Sequence, residues 1–282
     1  MKQKILKIAK PMRTFKLAML AALICLTLSF NISAKEKIRL TTGEWVPYVS
    51  ENLDNKGLFA QITVEAFATQ DIEVELGFFP WQRVFQLSRT GEWDGTIAYA
   101  KTSEREQYYI YSEPVYTGQY ALFHLKNHPI KWQKYTDLHD IRIAATRGFG
   151  GMGQEFLEAE ANKVINVDRL ASDDQSFNML LLNRVQAVAS DVEVGYVLLN
   201  KLFGSEKASL FTHSTRLIQQ AKYHLVLAKN LKKSEELMKK FNTGLNILKQ
   251  SGRYNQIISE FYQRKAYRDS IPAKALVRLV HQ

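Results

Sequence analysis

The sequence predicts an α/β protein of two lobes joined by two crossings. Three observations carry this. Segments of strand period and helix period alternate in two separate series along the chain. An extended apolar piece follows each series, and the chain then ends in helix. Two extended pieces linking two α/β series make a hinge, and a hinge between lobes makes a cleft.

In the first series, 37–41 reads as a strand, 57–69 as a helix, 72–77 as a strand, 81–89 as a helix stopped by Gly91, and 95–99 as a short strand. A strand-like aromatic segment follows at 108–111, and 120–125 is the first extended crossing. In the second series, strand 141–145, helix 154–163, strand 164–167, helix 176–182, strand 185–190 and helix 192–203 alternate in turn. The second crossing is 223–228, and the last helices are 234–249, stopped by Gly252, and 254–262. The expected division is 35–122 plus 226–282 for the first lobe and 123–225 for the second. The basic, partly amphipathic tail 266–282 is left unassigned.

Residues 1–34 stand apart from this plan. They run from a basic stretch through an apolar run, 17–30, to the small residues Ser33 and Ala34. That is the order of a secretory signal peptide, with removal expected after Ala34. The apolar run falls short of the roughly 20 residues a comfortable membrane span needs. Cys25, the single cysteine, lies inside it, without the small residue before it that a lipid anchor wants. The exported chain therefore has no disulfide and no thiolate, which suits an oxidising compartment. Six of the 38 basic residues and none of the 28 acidic ones precede Lys35, leaving 32 against 28, a net +4 rather than +10. With no basic stripe interleaved with stacking aromatics, nucleic acid is not an expected partner. A monomer in the periplasm is the expected state.

Motifs narrow the chemistry. Gly148, Gly150 and Gly153 satisfy G-x-G-x-x-G between a strand and a helix, with Asp168 20 residues after Gly148. The pattern is short, and an exported protein has no steady supply of dinucleotide, so a cofactor site is not expected. Glycines at that place still let backbone approach a small anion near a helix start. His124 and His128 lie four apart but lead into Pro129, and no metal site is expected. Neither G-x-S-x-G nor H-E-x-x-H occurs.

Candidate ligand residues lie in loops at the carboxyl ends of strands, where open α/β sheets bind. These are Trp45 and Tyr48 after the first strand, Trp81 and Arg83 after the second, Arg105 after the third, and Asp191 in the second lobe. Converged on one rim, they suit a small zwitterion: arginine for a carboxylate, aspartate for an ammonium, aromatic faces for the body. Each has an ordinary alternative. The aromatics fit a core, Arg105 a solvated surface, and Asp191 a helix N-cap before Val192.

Several stretches in this order resemble the bacterial extracellular solute-binding proteins of family 3. They are IRLTTGEWVPY, the strand lead-in GEWDGTIA with Thr102 and Arg105 as T-x-x-R, YSEPVY, IRIAATRGFGG, NRVQAVASD and FNTGLNILKQSGRYNQIISEFY. The resemblance spans about 37–265 and implies the two-lobe type II periplasmic binding fold. It implies Arg105 on a ligand carboxylate, Asp191 on its ammonium, Trp45 over its body with Trp81 as a second ring, and Gly148, Phe149 and Gly150 closing from the second lobe. It further implies an inner-membrane ABC permease, or a sensor kinase, as partner. The chain departs from the family at Ala98 and Ala100, where serines are common, at Phe149 and Gly150, where hydroxyls are common, and at Gly43, where an acid often helps hold the ammonium. Arg147 is extra. The pocket implied is drier and more aromatic. A second function class is an enzyme on the same fold, resembling cyclohexadienyl dehydratases, with Glu44 or Glu104 as the general acid.

Overall fold

The computed structural model describes residues 35–264; the proposed signal segment and the tail from 265 lie outside the described residues. Nine strands form one sheet: eight follow a continuous path in the order β2-β1-β3-β9-β5-β8-β6-β7, and β4 pairs with β9 off that path. The strands are β1 (Glu36–Thr42), β2 (Ile72–Phe78), β3 (Gly95–Ala100), β4 (Tyr109–Tyr111), β5 (Tyr116–Leu125), β6 (Arg142–Thr146), β7 (Asn166–Leu170), β8 (Ala187–Asp191) and β9 (Phe211–Ala228). β1 pairs parallel with β2 and β3, and β6 pairs parallel with β7 and β8. Those pairings place the carboxyl ends of each triplet together, as the alternation of elements demands.

Two long antiparallel strands join the triplets. β9 pairs with β3 and β4 along its carboxyl end and with β5 from Phe211 to Tyr223, and β5 pairs with β8. The β5–β9 ladder shifts register around Tyr120 and Ala121. A ladder irregularity bends and twists a strand locally, and this one lies where the two halves of the sheet meet.

The helices are α1 (Leu58–Ala68), α2 (Trp81–Thr90), α3 (Gln154–Ala161), α4 (Asp173–Leu181), α5 (Val192–Ala208), α6 (Ser234–Gln250) and α7 (Arg253–Gln263). α2 stops where the sequence says it must, because Gly91 takes the left-handed φ of +79° that side chains resist. α5 bends at Gly204, with φ +71°. α6 buries Leu237, Met238, Phe241, Leu245 and Leu248, a stripe at three- and four-residue spacing. It packs on α1, with the rings of Phe67 and Phe241 5.1 Å apart, so this late helix returns to the elements of the first triplet.

Gly244 is what lets those two helices approach. A Cβ at this position would lie 2.0 Å from the carbonyl oxygen of Ala66. Glycine in a helix interior ordinarily costs ~1 kcal/mol against alanine. Here Gly244→Ala should instead destabilise by about 1–3 kcal/mol, the range for overpacking a tight contact, measured by urea unfolding. A stabilised variant would show that α1 and α6 can move apart freely.

Candidate functional site

The carboxyl end of β3 builds the cationic part of the site. Ala98 has φ +61°, rare for a residue with a side chain, and the β3–β9 register shifts between Thr96 and Tyr99. The strand then runs through Thr102 into a short 3-10 turn, Arg105–Gln107. The Arg105 amide donates to Thr102 Oγ1 at 3.3 Å. Its guanidinium lies over the Tyr99 ring, 4.1 Å from the centroid, while Nη1 donates to the Ala100 carbonyl at 3.0 Å. Nη2 donates across the sheet halves, to the Gly148 carbonyl at 3.0 Å. Arg105 is thus a positioned cation with the face and one edge of its planar fork fixed.

Aromatic rings stand beside it. Trp45, 7% exposed, packs its ring 4.8 Å from both Tyr48 and Tyr223. The Trp81 indole lies on the backbone of Gly43, where a Cβ would come within 2.5 Å of Cε2, and its N–H donates to the Glu44 carbonyl at 3.3 Å. Phe149, from the loop after β6, meets both indoles edge-on, at 6.4 Å from Trp45 and 6.1 Å from Trp81. Offset and edge contacts of this kind suit the ring quadrupoles.

The Phe149 loop reaches this position because its glycines permit it. A Cβ on Gly150 would lie 2.6 Å from the Thr102 methyl, and one on Gly151 2.3 Å from the Tyr120 ring. The Gln219 side chain fills the space over the loop and donates to the Gly151 carbonyl. The loop is therefore backbone pressed onto side chains of β5, β9 and the Thr102 segment, with Phe149 as the ring it presents to Trp45 and Trp81.

Asp191 caps α5, and its environment is fully built. Oδ1 accepts from the amides of Glu193 at 3.0 Å and Val194 at 3.3 Å and from the Tyr48 hydroxyl at 3.0 Å; Oδ2 accepts from the Tyr223 hydroxyl at 3.0 Å. Gly118 leaves room for it, since a Cβ there would meet Oδ2 at 2.3 Å. The carboxyl is 1% exposed. Burial, then the nearby Glu193 charge, pushes it up to about 7, against the pull of the tyrosine and amide donors. Glu193 itself accepts from Tyr116 at 2.7 Å and Tyr262 at 2.8 Å, and the two hydroxyls also bond to each other. Tyr48 comes from the loop after β1 and Tyr262 from the last helix, so both networks tie the first half of the sheet to the start of α5.

Of the residues singled out in the sequence, Trp45, Trp81, Thr102, Arg105, Gly148, Phe149 and Gly150 come together, and Tyr48 meets Asp191 behind Trp45. Arg83 does not join them; it is exposed, with its guanidinium 5.8 Å from the Phe79 ring. Arg147 is exposed and donates to the Arg169 carbonyl at 3.2 Å, along β7. Sequence reasoning missed Tyr99, Tyr120, Tyr223 and Gln219. The last three sit on the crossing strands, and tyrosines on a segment that must pass between two lobes were the available signal. An open pocket of about 500 Å³ adjoins the cluster through Ala100, with Lys101, Glu113, Lys222 and His224 among its walls.

The profile of the bacterial extracellular solute-binding proteins, family 3, matches residues 39–264, and the chain belongs to that family. Solved structures place it in the type II periplasmic binding fold. A histidine kinase sensor domain with similarity to periplasmic binding proteins is 17% identical, with 81% of this chain and 97% of that one covered and a TM-score of 0.69. An amino-acid ABC transporter substrate-binding protein from Streptococcus pneumoniae, bound to L-arginine, is 19% identical over 86% and 98%, with a TM-score of 0.66. An ancestral amino-acid-binding protein, a precursor of cyclohexadienyl dehydratase, is 16% identical over 80% and 95%, with a TM-score of 0.63. No curated protein matches the chain in sequence. Among the described residues no helix is long and apolar enough to cross a membrane.

The raised carboxyl of Asp191 has a measurable consequence. Between the ordinary 3.8 and about 7 the folded protein keeps a proton that the unfolded chain has lost. Its contribution to stability is complete below about pH 4 and declines as pH rises to 7. Asp191→Asn should remove that decline, so the parent's stability should fall relative to the variant's by up to about 1.4 kcal/mol per pH unit across this window. Denaturant unfolding of both proteins at several pH values checks it. A difference independent of pH would mean that the start of α5 keeps Asp191 ionised throughout.

Proposed function

We propose that the protein captures a small carboxylate-bearing solute between two lobes, 35–122 with 226–282 and 123–225, and hands it to an inner-membrane ABC permease. Arg105 carries this reading. It is a guanidinium held against Tyr99 and Ala100 of the first half, aimed at the Gly148 loop of the second. A carboxylate arriving there displaces a neutral carbonyl and gains the charge-assisted, two-pronged bond that suits arginine. Because the ligand touches both halves, it favours their closed arrangement by its differential affinity. The amino-acid-binding relatives of the same fold support an amino acid or a related carboxylate as the ligand class. The export-type sequence before Lys35 supports a periplasmic location.

Two other readings share the fold. A sensor kinase could receive the closed form in place of a permease, a reading to which the sensor-domain likeness lends support. An enzyme requires a proton donor within reach of the ligand. Glu44 is exposed and accepts from the Glu51 amide at 2.9 Å, Glu104 is exposed, and Asp191 lies behind Tyr48 and Tyr223. Binding without chemistry is the reading these positions favour.

Native mass spectrometry of the freshly purified protein identifies a carried ligand, and small-angle scattering with that ligand should show a smaller radius of gyration. Arg105→Ala should weaken binding by roughly 2–4 kcal/mol, because it leaves a desolvated anion unpaired. Arg105→Lys should recover little, since an ammonium lacks the planar fork. Calorimetric titration reads both. Undiminished binding by Arg105→Ala would remove Arg105 from the site, and an unchanged radius would remove closure from the capture step.

A further inference from the structure

The site has a cation ready and its acid already committed. Both oxygens of Asp191 are occupied, Oδ1 by three donors and Oδ2 by the Tyr223 hydroxyl with the Gly118 backbone pressed against it. Tyr48 and Tyr223 stand between that carboxyl and the cluster around Trp45. An ammonium would have to displace a tyrosine and break a buried bond to reach it, leaving the phenol to find another partner. Position 43 cannot supply a second acid, because the Trp81 ring occupies the volume of any side chain there. Glu44, the next residue, faces outward and holds the Glu51 amide. The open pocket that shares Ala100 with this cluster carries Lys101, Lys222 and Glu113 on its walls, with Lys101 paired to Glu106 at 2.7 Å. Within the ring cluster the charged group is Arg105, and the buried acid nearest to it, Asp191, is already committed.

The shape of the rest is set by rings. Phe149 meets the edges or faces of Trp45 and Trp81 without any hydrogen bond, and the next oxygen along its own chain, the Gly148 carbonyl, takes the Arg105 Nη2 proton. A phenyl ring among two indoles, joined by a short link to an oxygen on Arg105, is held here by the protein's own loop. It serves as a template for what the same groups accept from solution: an aryl ring on a short tether to a carboxylate.

We infer that the preferred ligand is an aryl-alkyl monocarboxylate without an α-ammonium group, its ring against Trp45 and Trp81 in the place Phe149 takes here and its carboxylate on Arg105. This rests on the solute-capture reading above and goes further by excluding zwitterionic amino acids as the favoured class.

Matched pairs test it. 3-Phenylpropanoate and indole-3-propanoate differ from L-phenylalanine and L-tryptophan by the ammonium group alone. Calorimetric titration of the purified protein should give at least about ten-fold tighter binding for the desamino acid in at least one pair, and Arg105→Ala should lose that binding by at least about 30-fold. An amino acid that binds as tightly as its desamino partner overturns the inference, as does failure of both aryl acids to bind or their retention by Arg105→Ala. The two readings fail separately. A protein that closes on L-arginine in scattering keeps the capture function and loses this ligand class. One that binds an aryl acid with no change in radius keeps the ligand class and loses closure.

Discussion

The antiparallel pairing of β5 with β9 is the constraint on which the site depends. Among the described residues these two strands alone carry the sheet from the β1–β3 side to the β6–β8 side. Several residues that reach across the halves are positioned by them. Tyr120 and Gln219 support the glycine loop, and Tyr223 holds Asp191 and backs Trp45. The register shift around Tyr120 and Ala121 falls among these side chains, so the place where the ladder is weakest is also the place where the two halves are joined by side-chain contacts. A two-stranded connection can bend where its ladder is interrupted, and side-chain contacts to either side then decide which bent form is favoured.

Burying two carboxyl groups two residues apart is costly unless each is satisfied. Tyrosine is the economical answer, because its ring fills apolar space while its hydroxyl donates at the far end. Tyr48 and Tyr223 serve Asp191, and Tyr116 and Tyr262 serve Glu193, with each pair drawn from distant parts of the chain. The result couples the start of α5 to the first-half loop, to the crossings and to the last helix. Such a network specifies one arrangement of these elements, since moving any one of them strands a buried polar group.

What the sequence made legible follows from period and punctuation. Helix α2 was readable because its apolar stripe ends at a glycine that takes a left-handed turn. Arg105 and Trp45 were readable because they follow strand ends. The length of β9 was not: only 223–228 reads as extended and apolar, whereas the strand begins at Phe211. Its first part, HSTRLIQQ, is too polar to read as an apolar strand; its pairing comes from β5, with Ser214 accepting from the Leu122 amide, 92 residues earlier, and donating to the Arg216 carbonyl. The strand at 166–170 was placed early for the same reason. Asp168 and Arg169 break its apolar run, and each finds an ion partner, Arg142 at 2.7 Å and Glu160. The commitment of Asp191 was illegible in principle, for Tyr48 lies 143 residues before it and Tyr223 32 after it. The N-cap alternative was visible locally; the two hydroxyls were not.

In the two-lobe reading, the contacts that span the halves set how much a ligand must supply. Tyr48 to Asp191, Arg105 to the Gly148 carbonyl and Phe149 against two indoles already favour the approach of the two sides. A ligand shifts that balance only by what it adds to the closed arrangement beyond the contacts it displaces. At Arg105 it trades a neutral carbonyl acceptor for a carboxylate, and charge-assisted hydrogen bonds are roughly twice as strong as neutral ones. At Asp191 the trade runs the other way. An ammonium would replace a tyrosine bond already made inside a dry network, and the displaced hydroxyl would have to find another partner. The same geometry that makes an anion worth binding makes a cation unrewarding, and both consequences follow from where Tyr48, Tyr223 and the Trp81 ring are placed.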